Sequence, residues 1–276
     1  MSKLLIIGAG GHGKVVAETA SLMKQWNEIS FLDDAEGLER VTGIPVIGKL
    51  KDYRLFKAEY KYAFVAIGNN KLRLEWLEKL SQAGFIIPTI IHPFSVISKH
   101  SNLGEGTVVM GGAIINAGTK IGRGCIINTS SSIDHDCTLA DGVHISPGVH
   151  VGGTVHIEQC TWICVGANIA NNINIGKNVI VAAGAAVTRD LPDNVMVAGV
   201  PATIKKQFGE NKMNRNIPLS VPNLSLDILK NIKEAIQTGW VSTGGRFIQE
   251  FEEKIAKYVG VKRAVSCQSG TAGLHL

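Results

Sequence analysis

An aliphatic residue returns at every sixth position between Ile97 and Val187. The series is Ile97, Leu103, Val109, Ile115, Ile121, Ile127, Ile133, Leu139, Ile145, Val151, Ile157, Ile163, Ile169, Ile175, Val181 and Val187, without one insertion. With 45% of the chain hydrophobic, sixteen such coincidences arise in about three of a million random registers. A period of six fits neither an amphipathic helix, at about 3.6, nor a two-faced strand, at about two. It predicts a parallel β-helix of short strands. Glycines near many of the aliphatics, among them Gly104, Gly122, Gly142 and Gly176, suit its tight corners. If three hexads make one triangular coil, residues eighteen apart stack. The inward aliphatics then form three columns over about five coils.

The pattern ahead of the repeat is different. Leu4–Ile7 reads as a buried strand, Gly8-Ala9-Gly10-Gly11-His12-Gly13 follows it, and Lys14 to Lys24 reads as a helix. This is G-x-G-x-x-G between strand and helix, where glycines admit close backbone approach and free N–H groups favour an anion. A strand over Ile29–Leu32 ends in Asp33-Asp34, placed to meet a ribose hydroxyl. Another, Tyr62–Ile67, runs into Gly68-Asn69-Asn70. All three loops are expected on one sheet edge, where open α/β sheets bind ligands. Gly10, Gly11, His12, Gly13, Asp33, Asp34, Gly68, Asn69 and Asn70 are therefore the candidate substrate-binding residues. The plain alternative is a tight turn that binds nothing. Only about 90 residues precede the coil, enough for one mononucleotide half and not for a dinucleotide fold. The expected organisation is a Rossmann-like α/β domain over 1–90, a β-helix over 91–206 and a separate segment over 213–276.

Composition narrows the partners. The net charge of +5 is spread along 276 residues without a Lys/Arg block, so neither nucleic acid nor a membrane surface is an expected partner. The apolar run Leu4–Ile7 is too short for a signal peptide or a membrane span, which makes the cytoplasm the expected location. Cys125, Cys137, Cys160, Cys164 and Cys267 form no CxxC pair and are expected to be reduced packing residues.

Within the repeat, His135 lies in Ser132-Ile133-Asp134-His135-Asp136, two residues after an inward isoleucine and between two carboxylates. An imidazole there suits general-base chemistry near neutral pH, and a flanking carboxylate can orient it. Eighteen residues above Asp134-His135 stand Gly152-Gly153. Two missing side chains leave a notch whose N–H groups suit an oxyanion, or else simply turn a corner. His144, His150 and His156 recur at a spacing of six, readable as zinc ligands shared across a trimer or as a solvated row.

Six motifs in order carry a family resemblance: Gly10-Gly11-His12-Gly13, Phe31-Leu32-Asp33-Asp34, Ile67-Gly68-Asn69-Asn70, Asn128-Thr129-Ser130-Ser131, His135-Asp136-Cys137 and Gly199-Val200-Pro201-Ala202. Over residues 3 to 206 the chain resembles the sugar acetyltransferases of the sialic-acid O-acetyltransferase and bacillosamine N-acetyltransferase type. The resemblance implies a Rossmann-like nucleotide-sugar domain, a left-handed β-helix, a homotrimer, acetyl-CoA as cosubstrate and no metal. The left hand comes from the resemblance alone, since parallel crossovers are generally right-handed. It implies His135 as base and Asp136 as its orienting acid, with Asp134 a rival because a family member carries the longer Glu at 136. It also implies His144 and the Gly153 N–H at the acetyl group, and Val165 and Ala183 along CoA. Lys205 and Lys206, just beyond the prism, either meet CoA phosphates or lie on a solvated helix end.

The segment from Ile217 onward lacks the hexads. Pro218-Leu219-Ser220-Val221-Pro222, Gly239-Trp240-Val241-Ser242, Phe251-Glu252 and Ser269-Gly270-Thr271-Ala272 resemble the N-terminal part of the sugar aminotransferases that use pyridoxal phosphate. It is expected to be an incomplete α/β domain without a Schiff-base lysine, so pyridoxal phosphate is not expected to function on it. An aminotransferase would supply the amine that the first enzyme acetylates, which favours N-acetylation. The expected activity is acetyl-CoA-dependent acetylation of the 4-amino group of a UDP-linked 4-amino-4,6-dideoxy sugar, of the bacillosamine or legionaminic-acid pathways. The alternatives are O-acetylation of a sialic-acid-like sugar, a zinc hydratase of the β-helical carbonic anhydrase type, and a non-catalytic scaffold that binds a nucleotide-sugar.

Overall fold

Each of the sixteen hexads is a two-residue strand with the aliphatic second, from Val96–Ile97 to Ala186–Val187. In the computed structural model, which describes residues 2–209, 232–234, 236–237 and 246–266, the strands pair in parallel eighteen residues apart, as Ile115 with Ile133 and Ile127 with Ile145. Three sheets result, one for every third strand. Their inward aliphatics merge into one core in which Ile127, Ile133, Ile145 and Ile163 are fully buried. Each such side chain contributes about 1.5–3 kcal/mol by burial, and the repeat makes that gain on every face.

The corners obey the same period. From residue 106 to 184 every sixth residue has a positive φ, and eight of these are glycines, the others being Ser130, Asp136, Thr154, Cys160, Asn172 and Asn178. A left-handed residue closes each corner, which is why glycine recurs there.

The first domain is a five-stranded sheet in the order β3-β4-β2-β1-β5, with β1 at Lys3–Ile7, β2 at Glu28–Leu32, β3 at Arg40–Val41, β4 at Ile44–Gly48 and β5 at Tyr62–Val65. The strands run parallel except for the β3–β4 hairpin. Strand order reverses at β1, so the loops after β1 and β5 flank one crevice. Helix α1 spans Gly11–Met23, starting inside the glycine motif rather than at Lys14. Gly13 makes this possible, because a Cβ there would lie 2.2 Å from Gly8 O.

Helix α2, Asn70–Gln82, has no counterpart in the sequence reading, and it is the element that seats the first domain on the coil. Asn69 caps it, its Oδ1 accepting the Leu72 N–H at 3.0 Å. Cβ atoms placed on Gly106 and Gly124 would each strike Leu77, and one on Gly142 would strike Leu74. These three glycines stand one coil apart at a left-handed corner, so the helix lies along a column that side chains would otherwise fill. Ile90, Val108, Met110 and Ile126 complete the shared core with β1 and α1.

The coil ends in the antiparallel pair Val195–Ala198 and Thr203–Gln207, joined through Gly199-Val200-Pro201-Ala202. Lys205 and Lys206 are therefore on an exposed strand and not at a helix end. Residues Met1–Lys212 form one compact unit and Met213–Leu276 another. In the second, Phe251-Glu252 lie in helix α3, Arg246–Val259, where Arg246 Nε pairs with Glu250 Oε1 at 2.9 Å. The tail motifs at 218–222, 239–242 and 269–272, and Cys267, lie outside the described residues. Among the described residues no helix is long and apolar enough to cross a membrane.

Candidate active site

His135 stands at the corner after the strand Ser132–Ile133, its side chain 56% exposed. Its Nδ1 is 2.9 Å from Asp136 Oδ2. An ionised carboxylate only accepts, so the proton sits on Nδ1 and Nε2 is left with the basic lone pair. Asp134 is committed elsewhere: its Oδ1 accepts the His135 N–H at 2.8 Å and Asn116 Nδ2 at 2.9 Å. Between the two acids, geometry makes Asp136 the partner of the ring. Asp136 occupies a left-handed corner, φ 56°, and one coil below it Gly118 leaves the space its carboxylate fills, since a Cβ there would lie 2.2 Å from Asp136 Oδ1.

The bond to Asp136, then the charge of Asp134, raise the His135 pKa above its ordinary value. A base acts only when neutral, so activity should be lost as pH falls through that raised value. Asp136→Asn removes the stronger cause. It is expected to move the acid limb of the kcat/KM profile to lower pH while lowering the plateau; an unmoved limb would detach Asp136 from the titrating group.

Gly153 lies against this ring, and a Cβ on it would be 2.6 Å from His135 Nε2. Its φ is not in the left-handed region, so the imidazole and not the backbone calls for glycine here. Among the described residues the Gly153 N–H donates to no protein acceptor, which leaves it open to a developing oxyanion. Gly152 differs from its neighbour and from the sequence expectation. Its N–H donates to Ile169 O at 3.0 Å, and the space above it belongs to Asn171, whose Oδ1 would be 2.2 Å from a Cβ. Only one glycine of the pair borders the site.

His144 opens the strand His144–Ile145 on another face. It stacks on Trp162, centroids 5.6 Å apart at 10°, while the indole N–H donates to Ser146 Oγ at 2.8 Å. His144 and Trp162 border a cavity of about 700 Å³ with Gly68, Asn69, Asn70 and Lys71. The crevice loop after β5 and the coil histidine thus share one space. His12 is near: among the described residues the Nε2 atoms of His12 and His144 are both buried without a protein partner. Burial, then the charge of Arg73, holds His12 down to about 4; burial, Arg73 and His12 hold His144 down to about 3. Both stay neutral near pH 7, so His144 is suited to donate a hydrogen bond to an acetyl oxygen and not to act as a cation.

Gly10, Gly11 and Gly68 face open space, since a Cβ on any of them would meet nothing within 4 Å, and the Gly10 cap of α1 carries no side-chain bond. Asp33 closes the crevice, its oxygens accepting the Ala9 and Ala35 N–H groups at 2.7 and 2.8 Å. Asp34 Oδ1 accepts the Leu50 N–H at 3.0 Å. Both acids thus brace backbone at the edge expected to meet the ribose. Val165 and Ala183 are exposed corner residues one coil apart, and the Val165 carbonyl already accepts Gly184 N–H at 2.9 Å.

Within one chain the histidine row gathers no metal site among the described residues. His144, His150 and His156 open strands of three different sheets, so one chain aims them in three directions. Among the described residues no three His, Cys, Asp or Glu could hold a metal ion. His150 Nδ1 is instead 2.8 Å from Ser132 Oγ. Sequence reading missed Trp162 and Arg73. Trp162 was within reach, since it stands eighteen residues after His144; Arg73 on an amphipathic helix reads as a solvated charge.

Residues 3–80 match the PglD N-terminal domain and residues 222–276 the DegT/DnrJ/EryC1/StrS aminotransferase family. The UDP-N-acetylbacillosamine N-acetyltransferase of Bacillus subtilis (strain 168) is 38% identical over 115 residues, 40% of this chain and 52% of that protein, so the matched part spans about half of that relative. The GDP-perosamine N-acetyltransferase of Escherichia coli O157:H7 is 33% identical over 204 residues, 70% of this chain and 81% of that one. The acetyltransferase domain of PglB from Neisseria gonorrhoeae FA1090, solved with acetyl coenzyme A, is 42% identical with a TM-score of 0.71, covering 73% of this chain and 98% of that domain. With a Rossmann-like domain on a left-handed β-helix and likeness along nearly the whole of a solved relative, the chain belongs to the hexapeptide-repeat family of acetyl-CoA-dependent sugar N-acetyltransferases.

Proposed function

We propose that this protein transfers an acetyl group from acetyl-CoA to the 4-amino group of a nucleotide-linked 4-amino-4,6-dideoxy sugar, with UDP as the carrier. The observation that carries the reading is the His135–Asp136 pair, bonded at 2.9 Å, with its free Nε2 beside the unpaired Gly153 N–H. Attack of an amine on a thioester needs a base for the proton lost and a donor for the oxyanion formed. His135 takes that proton on Nε2 as the C–N bond forms, Asp136 holds the ring's tautomer, the Gly153 N–H faces the oxyanion, and collapse of the tetrahedral intermediate breaks the C–S bond, the CoA sulfur leaving as the thiol with the proton that Nε2 returns. Neutral His144 addresses the acetyl carbonyl. CoA runs along the corners at Val165 and Ala183, and the crevice of Gly10–Gly13, Asp33, Asp34 and Gly68–Asn70 holds the nucleotide.

The working unit is a homotrimer. His135 occupies the corner between the first and second faces of the prism, whereas His144 lies on the third. A corner faces away from the opposite side of a triangle, so one chain cannot present both rings to one acetyl group. A corner of one chain set on a face of the next is a heterologous contact, which forms a closed ring when its rotation closes, and a rotation matching the threefold outline of the prism closes at three.

The test is thiol release from acetyl-CoA against UDP-, GDP- and dTDP-linked 4-amino sugars, each beside its 4-hydroxy counterpart. Release with a UDP-amino sugar and background with its hydroxyl form is expected, from protein sedimenting at three times the chain mass. Release only with hydroxyl sugars would overturn N-acetylation, and an active monomer would overturn the shared site.

A further inference from the structure

We propose that Arg73 is a positioning residue for the nucleotide-sugar: it locks the Gly68–Asn70 loop of the first domain onto the corner carbonyls of the β-helix and so fixes the crevice relative to the acetyl site. The proposal rests on the functional reading above for its substrate, and on the following geometry for its substance.

Arg73 is 1% exposed. Its Nε donates to Gly124 O at 2.6 Å and its Nη2 to Gly142 O at 3.0 Å, both on the coil. Its Nη1 donates to Ile67 O and Gly68 O at 2.9 and 3.1 Å, and Nη2 also to Asn70 Oδ1 at 2.8 Å, all at the crevice. A guanidinium has five N–H donors in a rigid fork. Here five contacts use them on neutral acceptors, so no donor is left for a ligand and the group acts as a bracket. Asn70 extends the bracket, its Nδ2 donating to Cys160 O at 2.9 Å.

The register of the bracket is physical. Gly106, Gly124, Gly142 and Cys160 are one corner on four successive coils, spaced by the roughly 4.8 Å between hydrogen-bonded strands. The α2 residues that meet them, Leu77, Leu74 with Arg73, and Asn70, are three to four apart, spaced by a helix pitch of about 5.4 Å. Pitch and coil rise nearly match, so successive turns of α2 engage successive coils, and the helix start that carries the loop is held at one height on the prism. Burial lowers Arg73 to about 10, which leaves it charged at neutral pH beside His12 and His144.

Lysine keeps the charge but not the fork. In the full-length protein, Arg73→Lys is expected to raise KM for the amino-sugar nucleotide about tenfold, since small misplacements at a site are costly, while kcat at saturation falls less than threefold. A residue needed only for stability would instead lower the melting temperature and the active fraction, reducing kcat at constant KM. Unchanged KM overturns the proposal. Should Arg73→Lys fail to fold, Asn70→Ala breaks the same bracket from its half-buried end and must raise KM in the same way. If the wild-type protein acetylates no sugar, the functional reading fails separately, and amide hydrogen exchange decides: faster exchange confined to residues 67–70 in Arg73→Lys supports the bracket, and unaltered exchange there refutes it.

Discussion

Replacing His135 by Ala is expected to lower turnover by about a hundredfold or more, the usual range for loss of a general base being about 10²- to 10⁴-fold. The effect should fall on kcat, with KM for acetyl-CoA little changed. The ring is exposed, and among the described residues its only side-chain bond is to the adjacent Asp136, so the folded state loses little and melting should stay within a few degrees of wild type. The pH profile makes the assignment specific. Wild-type activity is expected to fall on the acid side as the Asp136-bonded ring gains a proton, and this limb should vanish from the residual activity of the Ala variant. Near-normal turnover, or a residual activity with the same acid limb, would remove His135 from the chemistry.

A single methyl group at Gly153 should cost nearly as much. A Cβ there would lie 2.6 Å from His135 Nε2 and 2.7 Å from its Cε1, closer than such atoms approach, while the backbone itself tolerates alanine. The exposed ring is what moves. Displacing Nε2 by about an ångström misaligns the base, and errors of that size cost up to about a hundredfold; Gly153→Ala is therefore expected to lose about tenfold to a hundredfold in kcat with the fold intact. Kinetics of the double variant show the route. If Gly153→Ala acts through the imidazole, adding it to His135→Ala changes nothing further, whereas additive losses would mean that the two positions act independently.

Much of this was legible in the chain before any coordinates. Sixteen aliphatics at a spacing of six bury one another only by winding into stacked triangles, and all sixteen are the second residue of a short parallel strand. Addition of eighteen then places residues one coil apart, and it brought Gly153 beside His135 correctly. The same addition misjudged Gly152, because spacing names neighbours without saying which hydrogen bonds the ladder has already used. It placed His144, His150 and His156 at equivalent positions, yet equivalence on three faces is what keeps them apart.

Residue order was enough to define the coil, its three columns and the corner carrying His135 with Asp136, since each follows from a local period that every turn repeats; it did not say which glycines hold left-handed corners, since Gly142 does whereas Gly104, Gly122 and Gly176 have no positive φ and instead make room for the neighbouring coil. Packing between distant elements was needed to settle how the first domain sits on the coil, that Arg73 is buried among carbonyls about 50 and 70 residues further along the chain, and that His144 joins the crevice loop while His135 faces away from it. These depend on the fit between a helix pitch and a coil rise, and on which face a corner opposes. Such relations belong to whole elements, and no single residue type or spacing records them.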